Sequence, residues 1–424
     1  MAAEQDALKD RYHAFDALRA AMVLLGIVLH AACCYTVVPI PMVPYHDATT
    51  NSLFDWMCRF LHAFRLPTFF VMAGFFAALL TARTGPVGML RNRWRRLMMP
   101  LIIGWPILVP LIILAVVFAW QRHPGFHSGE ALSAASNGQD ERDGFLAHLW
   151  FLYDLFLFCL VATTSHYLLN RFLPHLRGLI AKAFRDALNR GTVLLAFPLA
   201  TAVTLYPMHT GTFDTSAWLL PPIRILAAYG AFFGFGWLLF GERDRLGMFL
   251  KGAPLRTAAG CLLFLPHQAG LLTLQSQPFQ PGDAIHLMTV LSGSMACWWL
   301  IFGLTGLCLA HFTGPRPWIR YLTDASYWLY LTHLPLVLFF QGILAPLRIP
   351  AILKFSTVVS AAIGLLILLY HYRIRDSHLG ECLSGRRYPR VWPSVPRCPW
   401  IRLSGQDQES KSNQAVQRTG ASRL

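Results

Sequence analysis

The sequence predicts an all-α fold, a polytopic integral membrane protein of about ten transmembrane helices with both termini in the cytoplasm. Three observations predict it. Of the 424 residues, 55% are hydrophobic and only 13% charged, where a soluble domain carries about 25% charged residues. The apolar residues are gathered into blocks near 20–38, 56–80, 98–120, 147–165, 193–206, 219–240, 257–275, 286–310, 326–345 and 351–370. Each block approaches the roughly twenty residues needed to cross a hydrocarbon core of about 30 Å. No water hydrates the backbone there, so each segment must close its own hydrogen bonds, and a helix does so. The third observation is that the net charge of +15 is unevenly placed.

Alternate connections hold the cations. The stretch 81–97 contains Arg83, Arg91, Arg93, Arg95 and Arg96, and 166–192 contains Arg171, Arg177, Lys182, Arg185 and Arg190. Arg243, Arg245, Lys251 and Arg256 follow in 241–256, then Arg316 and Arg320 in 311–325, and the tail is again rich in arginine. On the opposite side only Arg122, Arg142 and Arg348 lie in connections. Positive charge retained on the cytoplasmic side orients the chain with both ends inside. The basic balance is therefore an orientation signal, and nucleic-acid binding is not expected.

The first apolar block is longer than a signal-peptide core and no small-x-small site follows it, so it is expected to be retained. Nine cysteines are present, seven of them inside or at the edge of apolar blocks without metal-ligand spacing. They read as small packing residues, and no metal site is expected.

Three regions follow from composition: a cytoplasmic segment 1–10, one membrane domain 11–375, and a polar cytoplasmic tail 376–424, expected to be largely disordered. The outward loop 121–147 is polar. Apolar and basic residues alternate through 166–192, as suits a helix lying on the membrane surface.

Ionisable residues inside apolar blocks are the candidates for chemistry, because each costs several kcal/mol unless it meets a partner or a wet cavity. In the first block stand Asp16, Arg19 and His30. Asp16 and Arg19, three apart, can pair. Arg19 and His30, eleven apart, point the same way, about 20° beyond three turns and about 16 Å apart along the axis. One face thus presents a cation near the entrance, able to hold a phosphorylated donor, and below it an imidazole able to take a hydroxyl proton. Spacing alone equally allows an anchoring arginine and a hydrogen-bonded packing histidine.

The second block carries His62, Arg65 and Pro67, the proline expected to interrupt helical bonding, with Gly74 permitting close helix approach. Arg65 reads as a structural ion-pair partner or a site residue. Arg93 and Arg96 lie three apart beside Trp94, a clamp for phosphates or a surface anchor. His148 and Trp150 mark the outer interface, with Asp154 inside the fourth block. In DASYWLYLTHLPL, Asp324 or Ser326 is expected to cap a helix, while Tyr327, Tyr330 and His333 share one face.

Taken together, these elements resemble the membrane acyltransferase-3 family over residues 11–375. The carriers are Arg19 and His30 as its Arg-x10-His arrangement, FFVMAGF from Phe69 to Phe75, Arg93 and Arg96 as its Arg-x-x-Arg loop, and SYWLYLTHLP. The segments FRLPTFF and HLWFLYDL are similar to a branch that succinylates periplasmic glucans. The resemblance implies transfer of an acyl group from cytoplasmic acyl-coenzyme A, a donor substrate rather than a bound cofactor, to a hydroxyl of a periplasmic carbohydrate. It implies catalytic roles for His30 and Arg19 and substrate binding by Asp16, Arg65, Arg93, Arg96, Trp150, Tyr330 and His333. Glucan-biosynthesis proteins are the expected partners beside the lipid bilayer. They would also supply any separate extracytoplasmic domain needed to finish transfer. One departure is Ala73 before Gly74, where the family usually has serine. The main rival is a transporter or flippase moving a saccharide or lipid-linked intermediate without chemistry, to which buried His and Arg are equally suited. A membrane scaffold subunit is the third reading.

Overall fold

The computed structural model describes residues 12–40, 43–123, 146–208, 212–215, 218–276, 283–384 and 387–392. The segment 1–10, most of the 121–147 loop and the last twenty residues, expected to be disordered, lie outside that set. Two units are distinguished, Met1–Arg390 and Val391–Leu424, and everything below concerns the first.

Every regular element among the described residues is helical. The order is α1 (His13–Ala32), α2 (Ser52–Arg93), α3 (Met99–Arg122), α4 (Trp150–Phe172), α5 (Pro174–Arg190), α6 (Val193–Leu205), α7 (Ile223–Gly241), α8 (Ala253–Ser276), α9 (Ala284–His311), α10 (Pro317–Leu344), α11 (Ala351–Leu369) and α12 (His378–Ser384). Among the described residues, eight stretches are long and apolar enough to cross a membrane, nine if α5 and α6, bent by 120°, form one span. The difference from ten blocks has two sources. The second and third blocks fall within one 71-residue helical run, Ser52–Arg122. The fifth is a helix of only 13 residues. The protein is a multi-pass membrane protein, and large apolar side chains such as Leu114 at 64% and Val203 at 73% exposure form its outer surface.

Local chemistry explains the long run. Asn51 caps α2, its side-chain oxygen accepting from the Leu53 amide at 2.9 Å. Pro67 does not end the helix. The break comes at Gly85, whose φ of 76° is left-handed, followed by Pro86, a residue that starts helices well. A wide π-type turn over Trp94–Met98 then leads into α3. Of the stretch 166–192, residues up to Phe172 complete α4 and the rest forms α5, with Leu176, Leu179 and Ile180 exposed and Phe184 and Leu188 buried. Helix α10 starts at Pro317, so Asp324 and Ser326 lie inside it and cap nothing. The Ser326 hydroxyl instead donates to the Leu322 carbonyl one turn back, at 2.8 Å.

Helix α10 packs on α1, α3 and α11, and α2 packs on α1, α4 and α7, while α8 and α9 form the most extensive pair. Lys354, inside the last apolar block, is fully buried and bonds both carboxylate oxygens of Asp47, at 2.8 and 3.0 Å. Asp47 also accepts from the amide and hydroxyl of Thr49. The ion pair thereby ties the connection between α1 and α2 to α11. Sequence reasoning passed over this lysine.

Candidate active site

A cavity of about 1470 Å³ runs along α1, lined from Tyr12 and Asp16 at one end to Cys33 and Thr36 at the other. All nine site residues expected from the sequence line it: Asp16, Arg19, His30, Arg65, Arg93, Arg96, Trp150, Tyr330 and His333. They come from α1, α2, the turn after it, α4 and α10.

The arginine-rich end is organised by α10. Arg19 reaches Asp16 at 3.3 Å, as the three-residue spacing predicted. Arg19 keeps 40% of its side chain exposed, so the pair contributes little stability and leaves the guanidinium able to turn to a ligand. Thr323 donates to the Asp16 carbonyl at 2.9 Å. Tyr327 donates to the Arg96 carbonyl at 2.5 Å, fixing the wide turn in which Arg96 sits.

At mid-depth three imidazoles converge. The ring of His333 lies 5.1 Å from that of His30 and 5.3 Å from that of His148, between centroids. Nδ1 of His333 faces the Tyr330 carbonyl at 2.7 Å. A carbonyl only accepts, so this nitrogen carries the proton and Nε2 holds the lone pair of the neutral ring. That Nε2 is buried without a hydrogen-bond partner. His148 is arranged in mirror fashion: Nε2 donates to the Leu331 carbonyl at 3.0 Å, and Nδ1 is buried without a partner. Tyr330 closes the group by donating to the His148 carbonyl at 2.7 Å. One unspent nitrogen lone pair therefore sits on the ring beside His30, and a second on the ring behind it.

Arg65 enters the same region from α2 and is 8% exposed. It lies on Gly26 of α1, where a Cβ would come 2.6 Å from its Nη1. Trp150 packs against Tyr229 at 5.9 Å. Toward the opposite end the wall is again polar. His62 donates to the Phe213 carbonyl at 2.8 Å, His267 to that of Thr289 at 2.8 Å, and Arg224 stands 3.6 Å from Asp214. No group of His, Cys, Asp and Glu among the described residues is arranged to hold a metal ion.

A guanidinium-rich mouth, a buried histidine cluster and a polar opposite mouth in one continuous cavity suit a reaction whose two substrates approach from different ends. The profile of the acyltransferase domain family matches residues 12–371. The chain belongs to the acyltransferase-3 family. As a member it is a membrane acyltransferase, and the match takes in α1 through α11, hence all of the cavity lining but Leu383 and Tyr388. Relatives named glucans biosynthesis protein C, from Salmonella gallinarum and Salmonella schwarzengrund, are 24% and 25% identical over 386 and 391 residues. Each alignment covers 89% of this chain and 95% of the relative. The Salmonella typhi protein of the same name is likewise 25% identical. No solved structure matches the chain.

Membership of the acyltransferase-3 family supports the resemblance drawn from Arg19, His30, FFVMAGF and SYWLYLTHLP. Sequence reasoning left two participants out of the site. His148 read as an interface residue, yet it is 8% exposed and sits in the cluster. The signal was its place two residues before Trp150 in a segment with a buried Asp154. Gly26, the seat of Arg65, carried no signal at all.

Proposed function

We propose that the protein is a bacterial inner-membrane O-acyltransferase. It takes an acyl group, succinyl by resemblance, from cytoplasmic acyl-coenzyme A to a hydroxyl of a periplasmic glucan or related extracytoplasmic carbohydrate. The observation that carries this reading is the single cavity joining Arg19, Arg93 and Arg96 to the histidine cluster and onward to the far mouth. The names of the Salmonella relatives favour a glucan acceptor and a bacterial membrane.

In this reading the donor's phosphates rest on Arg19, Arg93 and Arg96, which offer planar, bidentate hydrogen bonding. Asp16 orients Arg19, and Trp150 and Tyr330 border the acyl path. The acceptor hydroxyl enters from the other mouth. Its oxygen attacks the thioester carbonyl carbon, the carbon–sulfur bond breaks, and coenzyme A leaves as its thiol. His30 takes the hydroxyl proton and returns it to the departing sulfur, with His333 at its side. Placing both reactants in one channel also contributes, by converting an encounter between two phases into a unimolecular step.

The test is transfer of radiolabel from acyl-coenzyme A outside reconstituted vesicles to a glucan oligosaccharide inside them. Label covalently attached to the oligosaccharide supports acyl transfer. Movement of saccharide across the membrane with no ester formed would favour the transporter reading instead.

A further inference from the structure

Arg65 poses a problem of charge. Its side chain is buried beside the histidine cluster, and no carboxylate lies within ion-pair distance of it among the described residues. Elsewhere in this protein a buried cation is matched: Lys354 meets both oxygens of Asp47. A guanidinium held in a membrane interior without a counter-ion is costly and ordinarily faces a ligand or a wet path. Arg65 faces the cavity, and its Nε is buried with no partner.

The position is built rather than incidental. Gly26 leaves room for the guanidinium to lie on the backbone of α1, since a Cβ there would meet Nη1 at 2.6 Å and Cζ at 3.4 Å. Gly26 precedes His30 by one turn, about 6 Å along the axis. An extended four-carbon dicarboxylic chain separates its two carboxyl carbons by roughly 4 Å, from bonds of about 1.5 Å. With a hydrogen bond added, a chain whose thioester carbonyl lies at His30 brings its far carboxylate to Arg65.

We propose that Arg65, seated on Gly26, selects a carboxylate-bearing acyl group by binding the far carboxylate of a dicarboxylic acyl chain while the thioester carbonyl lies at His30. This rests on the acyl-transfer reading above. The donor's phosphates are a poorer fit, because the arginines assigned to them line the cavity at the other end of α1. A transient oxyanion on the reacting carbonyl is the remaining anion, and it is common to every acyl group.

That difference makes the test. Purified protein in vesicles is given radiolabelled succinyl-coenzyme A or acetyl-coenzyme A with a glucan oligosaccharide acceptor, and kcat/KM is compared for the two. In R65Q the succinyl-to-acetyl ratio should fall about 10²-fold, because the site then lacks the fork that the carboxylate needs. Gly26→Ala keeps the charge but pushes the guanidinium aside, and it should lower the same ratio if R65Q does not fold. An unchanged ratio with both rates reduced overturns the proposal and leaves Arg65 to the oxyanion or to structure. Wild-type protein favouring acetyl overturns it as well. Wild-type protein transferring neither group defeats the acyl-transfer reading and this one together.

Discussion

Gly74 of α2 and Gly236 of α7 meet at a close helix crossing. A Cβ on Gly74 would stand 1.9 Å from the Phe233 carbonyl oxygen, and one on Gly236 would stand 1.9 Å from that of Val71. The contact is reciprocal, backbone against backbone, and neither helix has a flexible side chain to move aside. Small residues that let helices approach are a main source of packing energy in lipid, where no hydrophobic force draws apolar helices together. Immediately outward, Phe70 and Tyr229 lie 4.8 Å apart between ring centroids. The crossing therefore sets how α2 presents Arg65 to the cavity.

Gly74→Ala should lower stability by about 1–3 kcal/mol, the usual cost of overpacking, read as an earlier melting transition in detergent. Gly236→Ala should do the same, and the double variant should cost less than the sum, because one separation of the helices relieves both clashes. Strictly additive losses would mean that the two glycines act independently.

Lys354→Met removes one half of a fully buried ion pair and strands Asp47. A loss of about 3–5 kcal/mol is expected. The paired change Lys354→Met with Asp47→Leu should recover much of it. Failure of the pair to recover would locate the value of Asp47 in its bonds to Thr49.

His30→Gln should insert and melt as the wild type does and turn over about 10²–10⁴-fold more slowly, the range for losing a general base. His333→Gln is the informative comparison. If it, and not His30→Gln, abolishes transfer, the base is the Nε2 of His333.

Arg93→Lys with Arg96→Lys conserves charge while removing the planar fork. A raised KM for the acyl-coenzyme A donor with kcat nearly kept is expected. Kinetics identical to wild type would reduce both residues to membrane anchors.

Orientation is tested by single-cysteine labelling in intact cells. Val37, 53% exposed shortly after the C-terminal end of α1, should react with an impermeant reagent once replaced by Cys. Asn92, beside the arginines after Gly85, should not. The reverse pattern would invert the topology.

Much of this protein is written locally. Hydrocarbon penalises an unpaired amide or a stray charge wherever it occurs, so apolar blocks, arginine placement and the exceptional residues Arg19, His30, Arg65 and His333 were all legible from composition and spacing. Even the Asp16–Arg19 pair and the tight packing at Gly74 followed from intervals of three and from a missing side chain. Tertiary structure decided what those residues face. Lys354 went unremarked in its apolar run because its partner lies 307 positions away. His148 read as an interface residue until α10 supplied the Leu331 carbonyl and the His333 ring. Gly26 became meaningful only when α2 laid Arg65 across it. Solvation acts on each residue where it stands, whereas a partner exists only after the chain has brought distant helices into contact.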